Sequence, residues 1–125
     1  MLKFFFTFIF HIANIVLIIL YLYPCSILGY YLNDSCFLQP QITRNFIISS
    51  NHFYAFIILT TSGLFAYQKS SKENFLIKYF ILISIILEFF HIIIPNRGFE
   101  IGDLLGNVAG VLLVLAIYKI KNQYV

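Results

Sequence analysis

The sequence predicts an all-α integral membrane protein built as a bundle of four transmembrane helices. Hydrophobic residues make up 61% of the 125 residues and charged residues only 10%, whereas a soluble domain carries about 25% charged residues. Four separate stretches are long and apolar enough for a membrane span of about 20 residues. None of them alternates with the period of two that a barrel strand requires. This composition excludes an ordinary soluble domain and a nucleic-acid-binding protein.

The predicted spans cover residues 4–23, 46–67, 75–94 and 101–118, and together they form a single domain over residues 1–125. The segments between them contain proline, charged or polar residues, which do not remain unpaired in hydrocarbon. The first span follows Lys3 and in this respect resembles a signal peptide. Its length and the lack of a small-residue cleavage site predict that it is retained.

The basic residues predict the orientation of the bundle. All six lysines lie on one side of the predicted spans, and the two arginines, Arg44 and Arg97, lie on the other. By the positive-inside rule, the N- and C-termini are therefore cytoplasmic. The segment with Cys25 and Cys36 then faces the oxidising side, where a disulfide bond and two free thiols both remain open. Tyrosines are expected at the lipid headgroup level near the span ends, at Tyr21, Tyr23, Tyr67, Tyr79 and Tyr118.

Several polar residues fall inside the predicted spans, where each ionisable group costs roughly 2.5 to 3.5 kcal/mol and therefore needs a partner or a purpose. At 1.5 Å per residue, His52, Glu88 and Asn107 all lie about 9 Å from the outer ends of their spans. Helical spacing also aligns Glu88 with His91, and Asp103 with Asn107. These side chains are expected to face a polar cleft that opens to the outside. His11 and Asn14 lie deeper, as an expected interhelical hydrogen-bonding pair.

The turn between the last two spans contains a basic residue, Arg97. After Pro95 ends the third helix, Arg97 is expected to fold back over the helix ends, where Glu88, Glu100 and Asp103 compete for it. Asp103 lies in the first turn of the fourth helix, and both a capping role and a ligand role remain open. Small residues recur at every fourth position of this helix, as Gly102, Gly106 and Gly110. This spacing allows another helix to approach closely.

The order of these residues resembles a known signature. The pattern E-x-x-H, P-x-R and D-x-x-x-N-x-x-G is similar to the C-terminal signature of the VanZ-like family, small bacterial membrane proteins named after an accessory protein of teicoplanin resistance. It comprises Glu88, His91, Pro95, Arg97, Asp103, Asn107 and Gly110. His52, followed by aromatic residues, looks like an upstream element of the same family. His91 is a departure, because the family usually has glutamine there.

The resemblance implies a multi-pass protein of the bacterial cytoplasmic membrane that acts at the outer leaflet, with a link to glycopeptide resistance, but it implies no settled reaction. We predict binding of an anionic lipid-linked cell-envelope component by His52, Glu88, His91, Arg97, Asp103 and Asn107. In this hypothesis Arg97 holds the anion while the acids and Asn107 position the basic side chains.

Two other functions remain open: an enzyme acting on a lipid-linked phosphate, and a helical subunit of a larger complex with the glycine stripe as its partner surface. No catalytic residue is assigned, because the sequence lacks a nucleophile elbow, an ordered triad and a phosphate-cradling glycine loop. No cofactor and no metal are predicted. The acids are expected to be occupied by Arg97, and no two histidines have ligand spacing within one helix.

Overall fold

The computed structural model describes all residues 1–125 and contains five helices and no strands. They are α1 (Leu2–Leu22), α2 (Ile27–Asn33), α3 (Ser50–Tyr67), α4 (Glu73–Phe90) and α5 (Ile101–Tyr124). The predicted all-helical class is thereby confirmed. The short helix α2 lies in a segment that was predicted as a loop. It begins where the Ser26 hydroxyl accepts a hydrogen bond from the backbone N–H of Gly29 at 3.0 Å.

Two of the five helices, α1 and α5, are long and apolar enough to cross a membrane. The sequence predicted four such spans. Helices α3 and α4 have 18 residues each. Helix α3 starts with the polar residues Ser50, Asn51 and His52, and α4 includes three charged residues, Glu73, Lys78 and Glu88. Both are shorter than the predicted spans, since residues 46–49 precede α3 and residues 91–94 form turns after α4.

Helix α3 lies at the centre of the bundle and packs against α1, α4 and α5. The apolar core joins all four long helices, and Phe10, Phe56, Leu59, Phe80 and Val111 are among its buried side chains. Large apolar side chains remain exposed on the outer faces of the surrounding helices, including Ile12, Ile15, Leu82, Ile85, Leu112 and Leu113. The core therefore uses one face of each outer helix and leaves an apolar face outside.

The glycine stripe of α5 packs against α3 within the same chain. A Cβ atom at Gly110 would lie only 2.6 Å from the backbone oxygen of Phe53, and one at Gly106 would lie 2.7 Å from that of Ser49. Gly102 is less constrained, with its nearest such contact at 3.5 Å. The predicted close approach of another helix is thus made by α3, so this part of the stripe is already covered in the single chain.

The two ends of the bundle differ in chemistry. At one end, Lys121 lies 5.2 Å from the Phe65 ring centre and Lys72 lies 6.0 Å from that of Tyr67. At the other end, a disulfide bond joins Cys25 to Cys36 and holds the segment around α2. The sequence left the state of these cysteines open, and the structure shows them bonded.

Candidate functional site

A buried cluster at the disulfide end joins α1, α3, α4 and α5. His52 Nδ1 lies 2.5 Å from the Tyr21 hydroxyl and 3.0 Å from Asn107 Oδ1, and the Tyr21 hydroxyl also donates to Asn107 Oδ1. The other end of the Asn107 amide donates to the backbone oxygen of Ser84 at 3.1 Å. Asn107 is 0% exposed, and its amide group forms hydrogen bonds between α5 and the neighbouring helices.

Asp103 extends this cluster towards the surface. Its Oδ2 lies 3.3 Å from His52 Nε2, and its side chain is 17% exposed. Asp103 is not the N-cap of α5, because Glu100 occupies that position. The backbone N–H of Ser49 donates to the oxygen of Gly102 at 3.0 Å, which joins the beginnings of α3 and α5. Asp103 thus contacts His52, and the two residues lie in the first turns of α5 and α3.

Glu88 and His91 form a second buried pair at the end of α4. Glu88 Oε2 lies 3.2 Å from His91 Nδ1, while Glu88 Oε1 accepts a hydrogen bond from the backbone N–H of Glu100 at 3.0 Å. The other ring nitrogen of His91 lies 3.0 Å from the backbone oxygen of Tyr21. The helical alignment of Glu88 with His91 was predicted. The main-chain partners of the pair were not.

Arg97 does not contact the acids that were expected to compete for it. Its Nε donates to the backbone oxygen of Tyr23 at 3.1 Å and its Nη2 to that of Leu20 at 2.6 Å, so it caps the C-terminal end of α1. The expected pairing with Glu88, Glu100 or Asp103 is wrong, because α1 presents unpaired carbonyl groups directly beside the turn. Burial lowers the pKa of Arg97, although the nearby Asp103 and Glu88 act to raise it. The guanidinium remains charged.

Two adjoining cavities open beside Arg97. One has a volume of about 410 Å³ and a largely apolar lining that includes Leu20, Ile27, Leu28, Ile42, Ala55 and Ile58. The other has a volume of about 360 Å³ and a polar lining that includes Asn45, Ser49, Asn96, Glu100 and Asp103. The residues that line both are Gln39, Gln41, His91 and Arg97. An apolar chamber and a polar chamber therefore meet at one arginine.

All six predicted site residues lie at this end of the bundle, and they contact one another in smaller groups. His52 contacts Asp103 and Asn107, Glu88 contacts His91, and Arg97 lines the neighbouring cavities. The sequence missed the role of Tyr21, which was expected at the headgroup level but is only 7% exposed. Because tyrosine is common at span ends, its type and position carry no signal of burial.

The deeper polar residues do not join the cluster. His11 Nε2 lies 3.0 Å from the Tyr67 hydroxyl, and the Tyr79 hydroxyl donates to Asn14 Oδ1 at 2.5 Å. His11 and Asn14 thus contact α3 and α4 separately. They stabilise the packing of α1 nearer the lysine end.

Comparisons with known proteins add no assignment to this site. No protein-family model, no curated protein and no solved structure matches the chain. The resemblance to the VanZ-like family therefore stays a prediction. The function has to be inferred from the contacts, cavities and charges of the chain itself.

Proposed function

We propose that the chain is a VanZ-like, multi-pass protein of the bacterial cytoplasmic membrane that binds an anionic lipid-linked cell-envelope component at the outer leaflet. In this proposal α1, α3, α4 and α5 all cross the membrane, and the N- and C-termini are cytoplasmic. Arg97 contacts the anionic group, while the apolar cavity receives part of the hydrocarbon chain. The observation that carries the proposal is the meeting of an apolar and a polar cavity at Arg97.

This pair of cavities suits an amphiphile better than a fully polar molecule. A lipid-linked ligand has a hydrocarbon part and a charged head group joined at one point, and the two linings change character in the same way. Ligand pockets typically combine apolar walls with a few placed polar groups. Gln39 and Gln41 lie at the junction beside Arg97 and offer amide donors to the head group.

Arg97 has donors left for such a head group. A guanidinium carries five N–H groups in a planar fork, and the structure uses Nε and one N–H of Nη2 for the carbonyls of α1. No carboxylate lies within ion-pair distance of Arg97. A partly buried arginine with unused donors and no acidic partner is well suited to a phosphate or carboxylate, which accepts two parallel hydrogen bonds.

The packing of the bundle supports four crossings although only α1 and α5 are long and apolar enough by themselves. Helix α3 packs against the other three long helices, and Ser50 and Asn51 in its first turn form hydrogen bonds with residues 40–45, so these polar groups have protein partners. In α4, Glu88 is fully buried while Leu82, Ile85, Ile86 and Phe89 face outward. The outer face of α4 is therefore apolar near its C-terminal end, where a lipid-facing helix must be.

The two ends of the bundle support the proposed orientation. The lysine end has the positive charge expected of the cytoplasmic side. The disulfide bond between Cys25 and Cys36 belongs in an oxidising compartment. Both cavities are lined by residues of the segment that follows α2, such as Gln39, so in the proposed orientation the binding site opens at the outer surface.

Arg97→Gln tests the binding proposal. Glutamine removes the positive charge but keeps an N–H donor for the carbonyl groups of α1. Because a charge-assisted hydrogen bond contributes about 1.5 to 3 kcal/mol, we expect roughly tenfold or greater loss of the copurifying anionic lipid. Native mass spectrometry after mild detergent extraction measures the bound lipid directly.

The matched control is Arg44→Gln, which removes the other arginine at the same end of the bundle. The Arg44 side chain is exposed. This variant should retain the lipid complement of the wild type. Equal amounts of the same anionic lipids in wild type and Arg97→Gln would contradict the proposal. A thermal unfolding curve for each variant shows whether the loss of the α1 cap has unfolded the protein.

A further inference from the structure

We propose that His52, Glu88 and Asp103 bind a divalent first-row metal cation, such as Zn²⁺, at the buried junction of three helices. One ligand atom from each residue lies within 4.8 Å of the others. His52 comes from the first turn of α3, Asp103 from the first turn of α5, and Glu88 from the last turn of α4. Imidazole and carboxylate groups are the mixed nitrogen and oxygen ligands that such cations bind in proteins.

The hydrogen bonds around His52 direct its free nitrogen towards Asp103. The Asn107 amide donates to Ser84, so its oxygen faces His52 and Tyr21 as an acceptor. The Tyr21 hydroxyl donates to Asn107 Oδ1, and we assign the proton of the neutral His52 ring to Nδ1, which lies 3.0 Å from the same oxygen. In the neutral ring Nε2 then carries a lone pair, and it lies 3.3 Å from Asp103 Oδ2. A cation between them converts this repulsion into ligation.

Glu88 provides an independent indication of a ligand. Its side chain is 0% exposed, and the buried Oε2 has a hydrogen-bond donor only when His91, whose Nδ1 lies 3.2 Å away, carries a proton on both ring nitrogens. The adjacent His91 directs Nε2 to a backbone oxygen, which only accepts, so in the neutral ring its Nδ1 is also a lone pair facing Glu88. A buried carboxylate oxygen without a donor is costly, and a metal ion supplies the missing positive partner.

One pair of ligand atoms already has the spacing of a metal site, whereas the three atoms together are separated by up to 4.8 Å, so an ion would draw the ligands closer together. Two ligands at about 2.1 Å from one tetrahedral ion lie about 3.4 Å apart, close to the 3.3 Å between His52 Nε2 and Asp103 Oδ2. Metal-binding histidines usually donate their other ring nitrogen to an oriented acceptor, which Asn107 provides for His52. Asp103 lines the polar cavity, and this gives the ion a path from the outer surface.

Arg97 does not compete with the ion. The sequence predicted no metal because the acids were expected to be occupied by Arg97, but Arg97 donates to the carbonyls of Leu20 and Tyr23 instead. The cluster is therefore left with two carboxylates and no permanent cation. The metal site does not depend on the proposed lipid ligand, because none of its three ligands is Arg97.

The test is zinc binding by the full chain, purified in detergent with an affinity tag that contains no histidine. After removal of metals with a chelator and incubation with Zn²⁺ alone, the wild type should retain about one zinc ion per chain, measured by plasma mass spectrometry after desalting. His52→Gln and Asp103→Asn should each weaken zinc binding roughly 10- to 100-fold or more. Co²⁺ bound to the wild type should show the intense visible absorption of a low-coordinate site.

The matched controls are His11→Gln and Asp34→Asn, which remove a histidine and an acid outside the cluster and should leave zinc binding unchanged. Circular dichroism identifies any variant that has lost its helices. If a cluster variant does not fold, the wild type alone decides, through its zinc content and its Co²⁺ spectrum. A wild type that retains no zinc, or folded cluster variants that bind zinc as the wild type does, would overturn the proposal. Protons on the two histidines would then occupy the cluster.

Discussion

At the scale of single residues, Asn107 connects the cluster to the bundle. Its oxygen faces Tyr21 of α1 and His52 of α3, and its amide N–H donates to Ser84 of α4. One fully buried side chain thus links three helices to the α5 helix that carries it. A side chain without polar atoms at this position would leave a donor from Tyr21 or His52 without an acceptor and would remove the additional hydrogen bond to the backbone oxygen of Ser84.

We expect Asn107→Leu to reduce the free energy of unfolding by about 1 to 3 kcal/mol, because buried polar groups lose their hydrogen bonds while the volume is roughly kept. Reversible unfolding in mixed detergent micelles measures this change. Asn122→Leu is the control, since Asn122 is exposed near the end of α5 and its replacement should change stability by about 0.5 kcal/mol or less. Equal stability of Asn107→Leu and wild type would show that these hydrogen bonds contribute nothing.

At the scale of elements, the contact between α3 and α5 positions the cluster. The backbones of the two helices approach closely at Gly106 and Gly110, and this approach sets the depth at which His52 faces Asp103 and Asn107. Small residues allow such an approach because they remove the side-chain atoms between two helices. A Cβ atom at Gly110 would therefore shift the position of the cluster residues as well as disturb the packing of α3 against α5.

We expect Gly110→Ala to destabilise the protein by about 1 to 3 kcal/mol, since its Cβ would meet the backbone oxygen of Phe53 and force the helices apart. This loss outweighs the gain of at most about 1 kcal/mol from alanine's higher helix propensity. The control is Gly98→Ala, whose Cβ would meet nothing within 4 Å. Thermal unfolding in detergent compares the two variants, and an unchanged midpoint for Gly110→Ala would contradict the tight contact.

At the scale of the whole molecule, the proposed function requires the cavities to open outward. The lysine end and the disulfide end lie at opposite ends of the long helices. Helix α1 also contributes Tyr21 and the carbonyl groups that Arg97 caps. Removal of α1 as a signal sequence would leave the site without both, which supports the expectation that this helix is retained.

Reporter fusions to the full chain test the orientation. A fluorescent protein at the C-terminus should fluoresce and alkaline phosphatase there should be inactive, because the proposed orientation puts this positively charged end in the cytoplasm. Alkaline phosphatase inserted between Phe37 and Leu38, in the exposed segment after the disulfide bond, should be active. An active C-terminal phosphatase would contradict the proposed orientation, because the cavities would then lie at the cytoplasmic side of the membrane.

Predictions from the sequence were accurate where a single helix decides the answer. The rise per residue placed His52 and Asn107 in the same layer, and the structure joins them at 3.0 Å. The predicted depth of about 9 Å is wrong for His52, because α3 begins at Ser50 and His52 lies in its first turn. The spacing of Glu88 and His91 likewise predicted their contact. The lengths of α3 and α4 were overestimated, since apolar residues such as Phe46 and Ile94 continue each pattern beyond the helix that the packing forms.

The sequence by itself determined the helical class, the division of charge between the two ends and the layer of polar side chains, because these depend on composition and on the fixed geometry of a helix. Only the tertiary structure decided which groups pair. Arg97 donates to the carbonyls of α1, and Tyr21 joins the cluster. The Arg97 contact could not be predicted, because every residue carries the same backbone acceptor. No sequence pattern marks a carbonyl at the end of one helix as the neighbour of a turn more than seventy residues away.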